Sequence, residues 1–271
     1  MGFDRIISIH GVPRSGTSWL GQILDSSPKV RYKFQPLFSY AFKNYINLES
    51  TKNELMTYYT QLYNYEDDFL DQRDKKIKGV YPEFEIKNDI PDILVTKMVR
   101  YHYLIPHLLY KLDNIKIIGI VRHPCGVLNS WKNAPKEFLD DWDFKEEWRF
   151  AQSMNKFNPE QYYGFNKWKE TSKLFLEMKK NYPDKIYIIQ YEDLVNNPIK
   201  ISKKLFNFME LNWNKQTENF IHNSTSITQK NEYSVYKGKK DTKKWEKSLD
   251  KNIINTIATE LKNTVLEKFS K

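Results

Sequence analysis

Two short runs carry residue types suited to holding anionic groups. The first is Gly11-Val12-Pro13-Arg14-Ser15-Gly16-Thr17-Ser18, which sets glycines five positions apart around one cation and ends in hydroxyl residues. It follows the β-branched run Ile6-Ile7-Ser8-Ile9 and precedes Trp19-Leu20-Ile23-Leu24, which has helical spacing. In a strand-loop-helix turn of this kind, backbone N–H groups and the positive end of the helix cradle phosphate-like anions. The nucleotide P-loop pattern G-x-x-x-x-G-K-[ST] is met except at its lysine, where Thr17 stands, and the cation has moved into the loop as Arg14. The second run, Val121-Arg122-His123-Pro124, ends the apolar stretch Ile115 to Val121. A kinase-like enzyme wants a carboxylate at such a strand end to hold Mg²⁺. Arg122 suits a second anionic group instead, and Ser130 lies eight residues further on.

These residues need a frame. Further buried-strand runs are Ile93 to Thr96, Ile115 to Val121 and Lys185 to Gln190. Helical spacing covers about Glu54 to Leu70, Leu104 to Leu112, Tyr162 to Lys180 and Ile199 to Met209. Near the C-terminus Ile254, Ile257, Ala258, Leu261 and Val265 recur at helical spacing, with Asp250 as a cap. Strands alternating with helices predict an α/β fold of three layers, a mainly parallel sheet flanked by helices. Asn212 to Lys244 is polar and reads as a surface loop. No linker divides the chain, so residues 1–271 are expected to form one domain.

Forty-three Lys and Arg against 34 Asp and Glu give a net charge of +9, which favours an anionic substrate, cofactor, membrane surface or nucleic acid. Cys125 is the single cysteine. An internal disulfide, a zinc finger and an iron–sulfur cluster are thereby excluded, and no metal site is expected. No apolar run approaches the roughly 18 residues that cross a bilayer. The N-terminus enters a short strand rather than a secretory signal, so a cytoplasmic protein without a transmembrane segment is expected.

Pro13-Arg14-Ser15-Gly16-Thr17-Ser18-Trp19-Leu20 resembles the 5′-phosphosulfate loop of sulfotransferases that use 3′-phosphoadenosine 5′-phosphosulfate (PAPS). Val121-Arg122-His123-Pro124 with Ser130 resembles that family's 3′-phosphate motif. Tyr187-Ile188-Ile189-Gln190-Tyr191-Glu192-Asp193-Leu194 is similar to its Y-E-D-L segment, and Lys237-Gly238 with Trp245 to its C-terminal elements. The resemblance implies that Arg14 and the amides of Ser15, Gly16, Thr17 and Ser18 hold the phosphosulfate. It implies that Arg122 and Ser130 bind the 3′-phosphate, with Lys237 and Gly238 adding contacts. Trp19 and Tyr191 would flank the adenine or serve as core aromatics. The implied reaction moves a sulfuryl group from PAPS to a hydroxyl or amine, leaving adenosine 3′,5′-bisphosphate (PAP).

The catalytic base departs from the family pattern. Where many glycan-modifying relatives place Glu before Pro, this chain reads Gln35-Pro36, and an amide is no base at neutral pH. Cytosolic relatives use a K-T-H motif. Here Thr96-Lys97-Met98-Val99-Arg100-Tyr101-His102 keeps Lys97 and displaces the histidine by three positions. Arg14, Lys97 and His102 are the expected catalytic residues; if His102 is instead a polar residue opening the following helix, a carboxylate such as Glu83 or Glu85 acts, or the acceptor is already nucleophilic. The acceptor, a small molecule or a glycan, would meet residues between Gln35 and Pro91 and between Asn133 and Gln161. Tyr40, Tyr58, Trp142 and Trp148 in those stretches would line a cleft or pack between helices. The competing readings are a P-loop nucleotide kinase, disfavoured by Thr17 and Arg122, and a nucleic-acid or polyanion binder. The second is disfavoured because the charges are spread along the chain, with Lys237 to Lys244 the nearest approach to a patch.

Overall fold

The computed structural model describes residues 2–238 and 241–271. Strands β1 (Arg5–His10), β2 (Val30–Phe34), β3 (Ile93–Met98), β4 (Ile115–Val121) and β5 (Ile186–Gln190) make one sheet in the order β2-β3-β1-β4-β5. Every pairing is parallel, with Ile9 opposite Lys97 on one side and Ile118 on the other. The helices that follow are α1 (Thr17–Asp25), α2 (Lys52–Asn64), α3 (Arg73–Ile77), α4 (Ile105–Lys111), α5 (Pro124–Lys132), α6 (Phe144–Phe150) and α7 (Gln152–Asn155). The chain closes with α8 (Gly164–Asn181), α9 (Tyr191–Asn196), α10 (Pro198–Phe208), α11 (Lys215–Ser226), α12 (Trp245–Ser248) and α13 (Lys251–Leu261).

Alternation along the strands builds a separate core on each face of the sheet. Ile6, Leu94, Ile115, Ile117 and Val121 pack with α2, α4, α5, α8 and α13. Ile7, Ile9, Val95, Ile118 and Ile120 pack with α1, α9, α10 and α11. Strands buried on both faces read as unbroken apolar runs, which is why β1, β3 and β4 were legible in the sequence, and the half-buried edge strand β5 shows through its run Ile186 to Ile189. Burying each such Ile or Leu side chain contributes about 1.5–3 kcal/mol. Gly119 in β4 is a packing requirement, because a Cβ there would stand 2.7 Å from the Phe175 ring of α8.

The structure differs from expectation at two elements. Strand β2 escapes the apolar-run criterion because Arg31 and Lys33 interrupt it. Their charges are satisfied by the carbonyl oxygens of Tyr63 and Tyr65 and by Asp71. Asn212 to Lys244 is not all loop, since α11 occupies its first half. Asn214 caps α11 by accepting the Thr217 N–H at 2.9 Å, and Phe220 and Ile221 anchor it beside α1. Two apolar anchors among polar residues are a weak periodic signal. The run Lys237 to Lys244 lies partly outside the described residues, at positions 239 and 240. The C-terminal helix ends at Leu261, short of Val265, and Asp250 caps it through the Asn252 N–H at 2.8 Å. No helix among the described residues is long and apolar enough to cross a membrane.

Candidate active site

The loop from Gly11 to Gly16 leaves the C-terminal end of the central strand β1, where a doubly flanked parallel sheet places its ligand. Gly16 takes φ +93° and begins α1, with no side chain capping the helix. The N–H groups of the first turn of α1 therefore face outward toward the loop as anion donors. A Cβ on Gly16 would stand 2.5 Å from the Tyr191 ring, and one on Gly11 would stand 2.8 Å from the Ile120 carbonyl oxygen. Both glycines let the loop lie flat against neighbouring elements. The Ser15 N–H is engaged within the turn, donating to the Val12 carbonyl at 3.2 Å. The Ser15 hydroxyl oxygen is buried with no hydrogen-bond partner among the described residues.

The cations of the two motifs converge. Arg14, also at positive φ, donates from Nε to Ser130 Oγ at 3.2 Å and from Nη1 to Glu137 Oε1 at 3.2 Å. Arg122 donates from Nη1 to the Arg14 carbonyl at 3.0 Å, and its guanidinium lies 4.7 Å from the centroid of the Tyr191 ring. Arg122 Nε is buried without a partner among the described residues. A buried guanidinium N–H left unpaired is costly. Arg14, Arg122 and Ser130 thus gather two guanidinium groups and a hydroxyl at the ends of β1 and β4, a set that fits a ligand with two anionic groups.

The remaining C-terminal elements close around this pair. Trp19 is buried and donates its indole N–H to Ser224 Oγ at 2.9 Å, so it ties α1 to α11. The Ser224 carbonyl accepts the N–H groups of Lys237 and Gly238, both at 3.2 Å. Lys237 Nζ donates to the Asn231 carbonyl at 2.7 Å, which pins the loop that carries Tyr233 to within 5.7 Å of the Arg14 guanidinium. On the other side His123 stacks on Trp245, with centroids 4.3 Å apart and planes 17° apart. Its Nδ1 accepts the Cys125 N–H, so Nε2 donates to the Ser270 carbonyl at 3.2 Å. Burial, then the Arg122 and Lys243 charges, lowers the His123 pKa to about 4 against the Ser270 contact.

Lys97, at the end of β3, is buried with its ammonium 4.3 Å from the Phe34 centroid. Burial holds its pKa well below the usual lysine value, reinforced by the Lys75, Arg100 and Arg14 charges and opposed by Glu137. Gln35 also sits at positive φ and accepts from Arg100 Nη1 at 2.8 Å, so its carbonyl oxygen is committed inside the protein.

His102 is placed differently from the expectation. It is 0% exposed, packs on Tyr162 at 4.4 Å, and is hydrogen-bonded to His10 through a 3.0 Å Nδ1–Nδ1 contact. His10 in turn meets Ser8 Oγ at 2.8 Å, and Ser8 accepts from Thr96. His102 therefore belongs to an internal polar chain with His10, Ser8 and Thr96. Glu83 and Glu85 are exposed on the strap that runs along α11, where Phe84 packs 5.5 Å from Phe220 and the Ile86 N–H donates to Gln216. Of the four aromatics considered for a cleft, Tyr58 is core and Tyr40 is fully exposed. Trp142 packs on Phe138 at 5.6 Å and Trp148 on Phe165 at 5.8 Å. Glu137, Arg100 and Tyr233 belong to the site without a motif to announce them; each lies in a segment irregular in sequence and is brought in by tertiary folding.

The chain belongs to the sulfotransferase family: the profile described as "Sulfotransferase family" matches residues 7–215. No curated protein sequence matches it. Among solved structures it is similar to retinol dehydratase in complex with androsterone and inactive cofactor PAP, at TM-score 0.55 and 15% identity over 96% of this chain and 82% of that one. It is also similar to mouse sulfotransferase SULT7A1 complexed with PAP, at TM-score 0.54 and 16% identity, covering 98% and 88%. The sulfotransferase domain of the Synechococcus PCC 7002 olefin synthase gives TM-score 0.52 and 18% identity, covering 90% and 88%. These likenesses show the fold.

Proposed function

We propose that the protein moves a sulfuryl group from PAPS to a hydroxyl or amine of a small-molecule or glycan acceptor. The observation that carries this is the convergence of Arg14, Arg122 and Ser130 at the start of α1 and the end of β4. PAPS presents two anionic groups at opposite ends of a ribose, and two of the related structures are complexes with PAP. Arg14, with the first-turn amides of α1, binds the 5′-phosphosulfate and stabilises the charge that grows on the bridging oxygen as the sulfur leaves. Such preorganised electrostatic stabilisation is the main catalytic resource here. Arg122 and Ser130 bind the 3′-phosphate. Tyr191, fixed between Gly16 and Arg122, borders the adenine side, and the Lys237-Gly238 turn closes over it. Lys97 adds a hydrogen-bond donor behind the transferred group.

The test uses radiolabelled PAPS with a panel of phenols, sugars and amines. Label transfer to at least one acceptor class with release of PAP is expected. Transfer of the γ-phosphoryl of ATP in its place, with PAPS inert, would return the protein to the kinase reading.

A further inference from the structure

With Gln35 bonded to Arg100 and His102 buried, a carboxylate that meets the phosphosulfate loop is Glu137. Glu137, seven residues beyond Ser130, sets Oε1 3.2 Å from Arg14 Nη1, while its Oε2 accepts the Tyr163 hydroxyl at 3.3 Å. Its backbone is fixed on both sides: its N–H donates to the Ala134 carbonyl and its carbonyl accepts the Trp131 indole N–H, each at 2.8 Å. The side chain is 21% exposed, so it meets both Arg14 and solvent.

We propose that Glu137 is the base that accepts the acceptor's proton, held against Arg14 until the phosphosulfate takes over that guanidinium. This rests on the PAPS reading above. As a lone pair of the acceptor oxygen forms the new O–S bond, the S–O bond to the 5′-phosphate breaks and its electron pair leaves with PAP. The acceptor proton passes to the Glu137 carboxylate and then to solvent. Arg14 thus has two partners in sequence, and the carboxylate becomes available when the donor is in place.

E137Q keeps the size of the side chain and an oxygen for Tyr163 but cannot take a proton. Water serves as the acceptor, read as labelled sulfate released from PAPS, and PAP affinity is measured by calorimetry on the same preparation. The expected outcome is a split. PAP binding stays equal or tightens a few-fold, because a like charge beside the phosphate is gone. Sulfate release falls by about 10²- to 10⁴-fold and loses the acid limb of its pH profile, with E137D keeping part of the rate. Sulfate release near the wild-type rate with tighter PAP binding would make Glu137 a counter-ion only. A joint loss of PAP binding and rate would make it a scaffold residue. Either result overturns the proposal, whereas a wild-type protein that fails to bind PAP overturns the PAPS reading itself.

Discussion

Arg122 is the residue on which the assignment of a doubly anionic ligand turns. Its Nη1 is held by the Arg14 carbonyl and its guanidinium lies against the Tyr191 ring, so the side chain is positioned in advance to meet an anion. A charge-assisted hydrogen bond of this kind contributes about 1.5–3 kcal/mol. Arg122→Ala is therefore expected to weaken PAP by about 10- to 100-fold and to leave AMP, which lacks the 3′-phosphate, nearly unchanged. Calorimetry with both nucleotides checks this. Equal losses would place Arg122 at the 5′ end or in the scaffold.

At the scale of elements, the join between β1 and α1 depends on Gly16. Its φ of +93° and the Tyr191 ring 2.5 Å from a would-be Cβ make two separate demands. A left-handed backbone costs an ordinary L-residue about 1–2 kcal/mol. Gly79 supplies the control, since it has φ +63° and nothing within 4 Å of its would-be Cβ. Denaturant unfolding should show Gly79→Ala losing only the backbone cost and Gly16→Ala losing more, with PAP affinity impaired in the second variant alone. Matching losses in the two would show that the Tyr191 contact gives way freely. The difference also explains what was legible. The loop, Arg122 and Tyr191 each sit beside an apolar strand on the same short stretch of chain, so local spacing exposes them. Glu137 and Tyr233 reach Arg14 from segments without period or motif, through tertiary folding alone. The burial of His102 was not legible either, because sequence distance from Lys97 says nothing about which side of a turn the fold buries. Strand β2 and α11 were missed for a related reason: the charged and polar groups that break their patterns find partners only in the folded chain.

For the whole molecule, buried histidines set the acid limit. Burial lowers His10 to a pKa of about 3 and, as the largest cause, His123 to about 4. Both are neutral in the folded protein near neutral pH, whereas in the unfolded chain they take up a proton below about 6.5. The unfolded state therefore binds more protons between that value and the folded pKa, and stability falls as pH drops through this window. Each contributes up to about 1.4 kcal/mol per pH unit. Glu192, raised chiefly by burial, works in the opposite sense, because its unfolded carboxyl releases its proton at lower pH than the folded one. The histidines outnumber it. Urea unfolding should give a stability lower at pH 5.5 than at pH 7.5 by about 1–3 kcal/mol. A stability that holds or rises on acidification would mean that these rings are already charged or hydrated in the folded state.

The central claim is that two cation sites at the ends of β1 and β4 recognise a nucleotide carrying both a 5′ and a 3′ anionic group. Its most direct test is calorimetric titration of the wild-type protein with PAP, AMP and ATP at one ionic strength. PAP is expected to bind at least about 10-fold more tightly than AMP, the margin that one charge-assisted hydrogen bond supplies, and ATP is expected to gain nothing from added Mg²⁺. Equal affinity for PAP and AMP, or a Mg²⁺-dependent preference for ATP, would contradict it.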